Sequence, residues 1–159
     1  MYEHDFHALV RMGRTDDVRA FVAEGIDVNA RDDFGATPLH SAVAEKQVNM
    51  VEQLLSFGAD PSIPDAKGRT SVHYAVEHRL PEVLSMLLSQ HPEAAKVTDD
   101  VGNEPLWTAS FNAHGNYEMV AMLVRIGGDP NHINSLGLSP FDVADRRQDE
   151  DLRSILEGQ

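Results

Sequence analysis

Eight histidines stand in this 159-residue chain, and two of them, His4 and His7, form an H-x-x-H pair. Such a pair invites a metal, but a structural or catalytic ion needs further protein ligands, and none lies at a characteristic spacing. No metal and no cofactor are therefore expected. His7, His40 and His73 recur at intervals of 33 residues, which is the period of a scaffold rather than the clustering of a ligand set. His78, His91, His114 and His132 fall at expected helix ends and loops, where solvent or a partner would be their neighbour. Acid pairs are frequent: Asp16 with Asp17, Asp32 with Asp33, Asp99 with Asp100, and the run Asp149 to Asp151. Catalytic carboxylates need an enclosed site that shifts their acidity. These pairs instead stand at turns and helix starts, where aspartate caps helices and stays hydrated. Neither a serine elbow, a phosphate-cradling glycine loop nor an H-E-x-x-H pattern is found. The expectation is a protein that is not an enzyme.

Charge narrows the partners. Lys and Arg number 13 against 26 Asp and Glu, a formal net charge of −13. Such a chain repels phosphate backbones and anionic lipid heads, so neither nucleic acid nor a membrane is expected as partner, and a basic surface is favoured. Cysteine is absent, so there is no disulfide framework. The opening "MYEHDFHALV" lacks a basic leader, and no apolar run approaches the roughly 18 residues of a membrane span. A soluble cytoplasmic location is expected.

The elements that would carry these residues repeat. Gly35, Gly68, Gly102 and Gly137 are spaced by 33, 34 and 35 residues, and "ATPLH", "RTSVH", "NEPLW" and "LSPFD" follow them. Later in each complete unit comes an apolar couple: Leu54–Leu55, Leu87–Leu88, Leu123–Val124. "GIDVN", "GADPS" and "GGDPN" close three of the segments. In "TPLH", Thr37 suits a helix N-cap and Pro38 a first helical residue, because proline gives up an amide hydrogen that would be unpaired there. Leu39, Ala42 and Val43 then follow at helical spacing, and Val48, Val51, Leu54 and Leu55 make a second stripe that Gly58 ends. The predicted organisation is one domain over 1–159, with units at 1–31, 32–64, 65–98, 99–133 and 134–159. Met50, Met86, Met119 and Met122 fall on the second helices as gap fillers.

These residues resemble ankyrin repeats, whose unit pairs a β-turn with two antiparallel helices under a T-P-L-H signature. The resemblance implies an all-α solenoid of helix–turn–helix units with projecting β-turns or hairpins, about five repeats including caps, monomeric by itself. It implies a scaffold role for Thr37 and Pro38, and hydrogen bonding between repeats for His7, His40 and His73. The partner would sit on turn tips and first-helix faces: Asp33, Phe34 and Glu45, with Phe57 ending a second helix; then Arg69, Glu77 and His78; then Asn103, Phe111 and Asn112. Trp107 stands where the pattern has His, so the polar bridge there must be absent or rebuilt. Two readings of Trp107 stay open, a plug between repeats and the wall of a partner pocket, with the plug preferred because the position faces inward in the family pattern. In the same unit "NAHGN" lengthens the helix link by two residues, and in the unit before it "SQHPEAAKVTDD" replaces the usual Gly-Ala-Asp turn.

A narrower likeness rests on "GNEPLW", "YEMV", "GGDPN" and "SPFDVAD". These are similar to ankyrin proteins found in bacteria beside secreted polymorphic toxins, which serve as immunity proteins. That resemblance implies a chain that binds a toxin domain, such as a basic nuclease, and blocks its active site or substrate access. The alternative is an ankyrin scaffold or adaptor that recruits a signalling partner without inhibiting it.

Overall fold

The structure, a computed structural model, describes residues 2–158, with side chains from Phe6 onward. Ten α-helices follow one another among the described residues. The first helices of the units are α1 (Tyr2–Arg11), α3 (Pro38–Ala44), α5 (Ser71–Glu77), α7 (Pro105–Asn112) and α9 (Pro140–Arg147). The second helices are α2 (Thr15–Ala23), α4 (Val48–Ser56), α6 (Pro81–Gln90), α8 (Glu118–Arg125) and α10 (Glu150–Leu156). Each first helix packs on its own second helix and on the first helix of the next unit; α4, α6, α8 and α10 form a second row in the same order. A 3₁₀ turn, Pro92–Lys96, fills the space after α6 where the sequence departs from the Gly-Ala-Asp turn.

Local chemistry starts and stops these helices. Thr37, Thr70 and Ser139 are the N-caps of α3, α5 and α9, and proline is the first residue of α3, α7 and α9. The link to each second helix turns on a residue with left-handed backbone: Lys46, Arg79 and Gln148. In the third unit His114 and Gly115 are both left-handed, which is how the longer "NAHGN" link still reverses the chain. The two stripes then meet in one core. Leu39, Val43, Met50, Val51 and Leu54 are buried, as are Leu84, Leu87, Leu106 and Leu123 in later units. Each such side chain contributes about 1.5–3 kcal/mol when fully buried. Ala42, Ala75, Ala109 and Ala144 occupy one repeat position and are all buried, so the small side chain is what lets successive first helices approach.

The turn tips correct one expectation. Among the described residues there is no β-strand, so the projecting hairpins implied by the resemblance do not form. Each tip is a turn closed by one acceptor side chain. Asp32 Oδ1 accepts from the amides of Phe34 and Ala36, Asp65 from Lys67 and Arg69, and Asp99 from Val101 and Asn103; Asn134 does the same for Leu136 and Leu138. These side chains take the amide hydrogens that a strand ladder would use. Only one backbone bond then joins neighbouring tips, at 2.9 Å each: Ala66 N to Phe34 O, Asp100 N to Lys67 O, Ser135 N to Val101 O.

Close approach of the tips makes one glycine differ from its repeat equivalent. A Cβ on Gly68 would lie 2.9 Å from backbone atoms of Asp99 and Asp100, whereas one on Gly137 would meet nothing within 4 Å. Both have φ near +70°, at +74° and +72°. Gly68→Ala and Gly137→Ala therefore share the left-handed strain of about 1–3 kcal/mol, and Gly68→Ala adds a clash of about 1 kcal/mol or more. Urea denaturation of the two variants checks this; equal losses would show that the tips do not press on each other.

Candidate partner-binding surface

Between the tips and the first helices lie two pockets at equivalent places in the stack. The first, of about 350 Å³, lies between the α3 and α5 units, with Phe34, His40, Ala44, Glu45, Arg69 and Tyr74 among its lining residues. Its chemistry centres on Arg69. The guanidinium donates to Asp65 Oδ2 at 3.0 Å, to the Tyr74 hydroxyl at 2.8 Å and to Glu77 Oε2 at 3.4 Å, and lies 4.6 Å from the centre of the Tyr74 ring. Tyr74 in turn donates to Asp65 Oδ2 at 2.9 Å. Burial pushes the Asp65 carboxyl up, but the amides of Arg69 and Lys67, with Tyr74 and Arg69, hold it below its ordinary range. Burial and the bond to Asp65 push the Tyr74 hydroxyl up to about 12. Acid and base are thus tied to each other, which orders a surface rather than preparing a proton transfer.

The second pocket, of about 410 Å³, lies between the α7 and α9 units. Trp107 and Phe111 form one side, with ring centres 5.2 Å apart and planes within 8°. Leu136 and Leu138 come from the next tip, and Val143, Arg146 and Arg147 from α9. Trp107 is half-buried: its Nε1 is sealed inside with no hydrogen-bond partner among the described residues, while its ring stacks on exposed Phe111. Packing against the core and lining the pocket are both done by this side chain.

The missing histidine bridge is rebuilt elsewhere. His40 and His73 each use both ring nitrogens: Nδ1 faces the amide and hydroxyl of Thr37 or Thr70, and Nε2 lies 3.0 Å from Arg69 O or 3.1 Å from Asn103 O in the next unit. A carbonyl can only accept, so Nε2 carries the hydrogen and Nδ1 accepts. Trp107 can do neither. In its unit Asn134 Nδ2 donates to Asn103 Oδ1 at 2.7 Å, and His132 Nε2 lies 2.9 Å from Gly102 O. Glu104 replaces the N-cap threonine and lies 3.8 Å from His132 Nδ1. Burial raises its carboxyl above the ordinary range, against the pull of the Asp129 amide and His132. His7 reaches Ala30 O from Nε2 at 2.9 Å. The side chain of His4 lies outside the described residues.

The residues expected to meet a partner divide. Asp33, Glu45, Glu77, Phe34 and Phe111 are exposed, the two phenylalanines at 76% and 48%. Arg69 lines the first pocket, and the His78 ring lies 6.4 Å from Tyr74. Asn112 is half-buried, its carbonyl accepting from Arg79 at 3.0 Å. Phe57 caps α4 and packs partly buried against the core. Asn103 is 8% exposed and holds Asp99 and Asn134, so it lies inside the stack and not on the open face. Sequence reasoning missed Asp65 and Tyr74. Tyr74 was detectable as a bulky residue in the slot that holds Ser41 one unit earlier. Among the described residues no group of three or more His, Asp or Glu could hold a metal. No helix of those residues is long and apolar enough to cross a membrane.

A stack of helical pairs joined by turn tips and bound by histidine bridges defines a repeat solenoid. The family model described as "Ankyrin repeats (3 copies)" matches residues 6–99, and that described as "Ankyrin repeat" matches 101–135. The chain belongs to the ankyrin-repeat family and has the build of a protein-interaction module. It is also similar to the acyl-CoA-binding domain-containing protein 4 of Oryza sativa subsp. japonica, 46% identical over 50 residues. That stretch is 31% of this chain and 15% of the relative, so the likeness covers a small part of a much longer protein.

Burial holds the His40 and His73 rings below the ordinary imidazole value of 6.5, the bonds to Arg69 and Asn103 opposing it. In the native state both stay neutral where the unfolded chain already takes up protons. Their contribution to stability is therefore full above about pH 6.5 and is lost as pH falls below it towards the native values. Unfolding free energy should drop as pH falls through the ordinary imidazole value of 6.5. Replacing both rings by Gln should lower the plateau by about 1–3 kcal/mol per site and flatten that drop. A drop of equal size in the double variant would assign it to other groups.

Proposed function

We propose that the face made by the turn tips and by α3, α5, α7 and α9 grips a folded protein, and that the partner is a basic domain, such as a bacterial toxin, whose active site or substrate access the chain covers. The observation that carries the reading is the placing of large apolar side chains in the open. Phe34, Phe111 and Leu136 are 76%, 48% and 69% exposed, each at the lip of a pocket between neighbouring first helices. Exposed aromatic and aliphatic groups ringed by polar residues are the composition of binding hot spots.

Electrostatics supports the choice of a basic partner through the whole molecule rather than through one groove. The first pocket is lined by Asp32, Glu45 and Asp65 but also by Arg11, Lys67 and Arg69, so it is not itself acidic. The net charge of −13 acts at longer range, and such fields raise association rates more than they deepen affinity. Inhibition would be steric: a toxin cleft filled by a rigid face admits no substrate. The adaptor reading keeps the same surface and partner class but leaves the partner active.

Capture from source cells with the wild-type chain and with Phe34→Ser, Phe111→Ser, Leu136→Ser tests the surface. The partner recovered by wild type should be lost by the triple variant, with affinity down at least about a hundredfold at unchanged circular dichroism. Undiminished capture would remove this face from the interface. Asp33→Lys, Glu45→Lys, Glu77→Lys should slow association about tenfold and blunt its salt dependence. A purified partner that stays fully active in the complex would replace inhibition by recruitment.

A further inference from the structure

We infer that the pocket between α7 and α9 is an anchor site for one bulky apolar side chain of a partner segment whose flanking residues carry carboxylates. This rests on the reading that this face binds protein, and it names the chemistry of one contact. The volume of about 410 Å³ falls in the range of pockets that enclose ligand groups, and the stacked Trp107 and Phe111 with Leu138 give it an apolar wall. The equivalent place between α3 and α5 also has aromatic lining, Phe34 and Tyr74, but there Tyr74, Arg69 and Asp65 are already bonded to one another.

The rim decides the charge. Arg146 and Arg147 stand in the last turn of α9. Neither is ion-paired among the described residues, whereas Arg69 and Arg153 each hold carboxylates. Arg147 lies 5.0 Å from the centre of the Phe111 ring, which fixes it beside the aromatic wall. Asp142 is the nearby acid that could quench this rim, but its Oδ2 accepts from Ser139 N at 2.7 Å and Ser139 Oγ at 2.6 Å. Those bonds fix Asp142 at the start of α9 but leave its charge in place, where Arg146 attracts it, so the rim sets two guanidinium groups against one carboxylate. Arg147 gives one N–H to Ser110 O at 3.5 Å, and neither it nor Arg146 forms an ion pair among the described residues; guanidinium donors so placed at an apolar cleft match a segment with carboxylates beside a buried side chain.

Net charge argues the other way, and range settles the conflict. The chain's −13 would repel an acidic segment at a distance, but at physiological salt the screening length is about 8 Å. Charges in contact at the rim lie well inside that length, and the opposite ends of the solenoid lie outside it. Attraction to Arg146 and Arg147 therefore governs once the side chain is seated.

Trp107 is the chain's only tryptophan, so its fluorescence reports this pocket alone. Terminally blocked peptides Glu-Glu-Phe-Glu-Glu, Gln-Gln-Phe-Gln-Gln, Lys-Lys-Phe-Lys-Lys and Glu-Glu-Ala-Glu-Glu carry no fluorophore that interferes. The acidic phenylalanine peptide should shift the emission saturably and bind about tenfold tighter than the neutral one, with the alanine peptide inert. Arg146→Glu with Arg147→Glu should reverse the order in favour of the basic peptide; should that variant fail to fold by circular dichroism, Arg146→Gln with Arg147→Gln should abolish the preference. No saturable shift with the acidic peptide, or basic binding as tight as acidic in the wild type, overturns the inference. If the peptides fail while Phe34→Ser, Phe111→Ser, Leu136→Ser still loses the captured partner, the anchor chemistry falls and the protein-binding reading stands.

Discussion

No unit of this chain can bury its own apolar face. A pair of helices of seven to ten residues is too short to be stable alone, and each pair packs against the neighbouring pair. Every other feature answers that constraint. Alanine at one position of each first helix sets the spacing. Bonds that cross from one unit to the next then hold that spacing, because a slipped neighbour would leave buried polar groups unpaired. His40 and His73 show the arrangement best: each ring caps its own helix with one nitrogen and reaches the next unit with the other.

The third unit solves the same problem with different atoms. Losing the histidine would break a bridge worth about 1–3 kcal/mol if its partners stayed buried and unpaired. Asn103 and Asn134 join the tips instead, and Glu104 and His132 occupy the space near the helix start. That transfer frees the histidine slot for a large ring. Trp107 fills it, seals its indole nitrogen inside and turns a face towards Phe111. A departure that weakens the repeat pattern thereby produces an apolar opening between α7 and α9.

Charge and shape operate at different distances in this molecule. The overall acidity is a property of the whole surface, whereas the pockets contain arginine and lysine among their lining residues. A partner would be drawn by the field and held by local contacts that the net charge does not describe. Arg69 is ion-paired with Asp65 and Glu77 in its own unit, whereas Arg146 and Arg147 form no ion pair among the described residues.

The paired-helix solenoid was readable from the sequence because its signals are local: glycine spacing, Thr-Pro at helix starts and stripes of period 3.6 each act within a few residues. Phe34 and Phe111 were readable as surface groups for the same reason, since repeat position sets which way a side chain points. The hairpins were wrongly expected because the tips' amides are taken by the side chains of Asp32, Asp65, Asp99 and Asn134, a choice made by three-dimensional closure of each turn. Asn103 went inside, and the network of Asp65, Arg69 and Tyr74 formed, through contacts that only the assembled stack creates. The sequence by itself determined the repeat and its faces, since short-range sterics and hydrogen bonding dictate them. The tertiary structure alone decided which polar groups are consumed in joining units and which, like Arg146 and Arg147, form no ion pair among the described residues, because that depends on what each one meets across the interface.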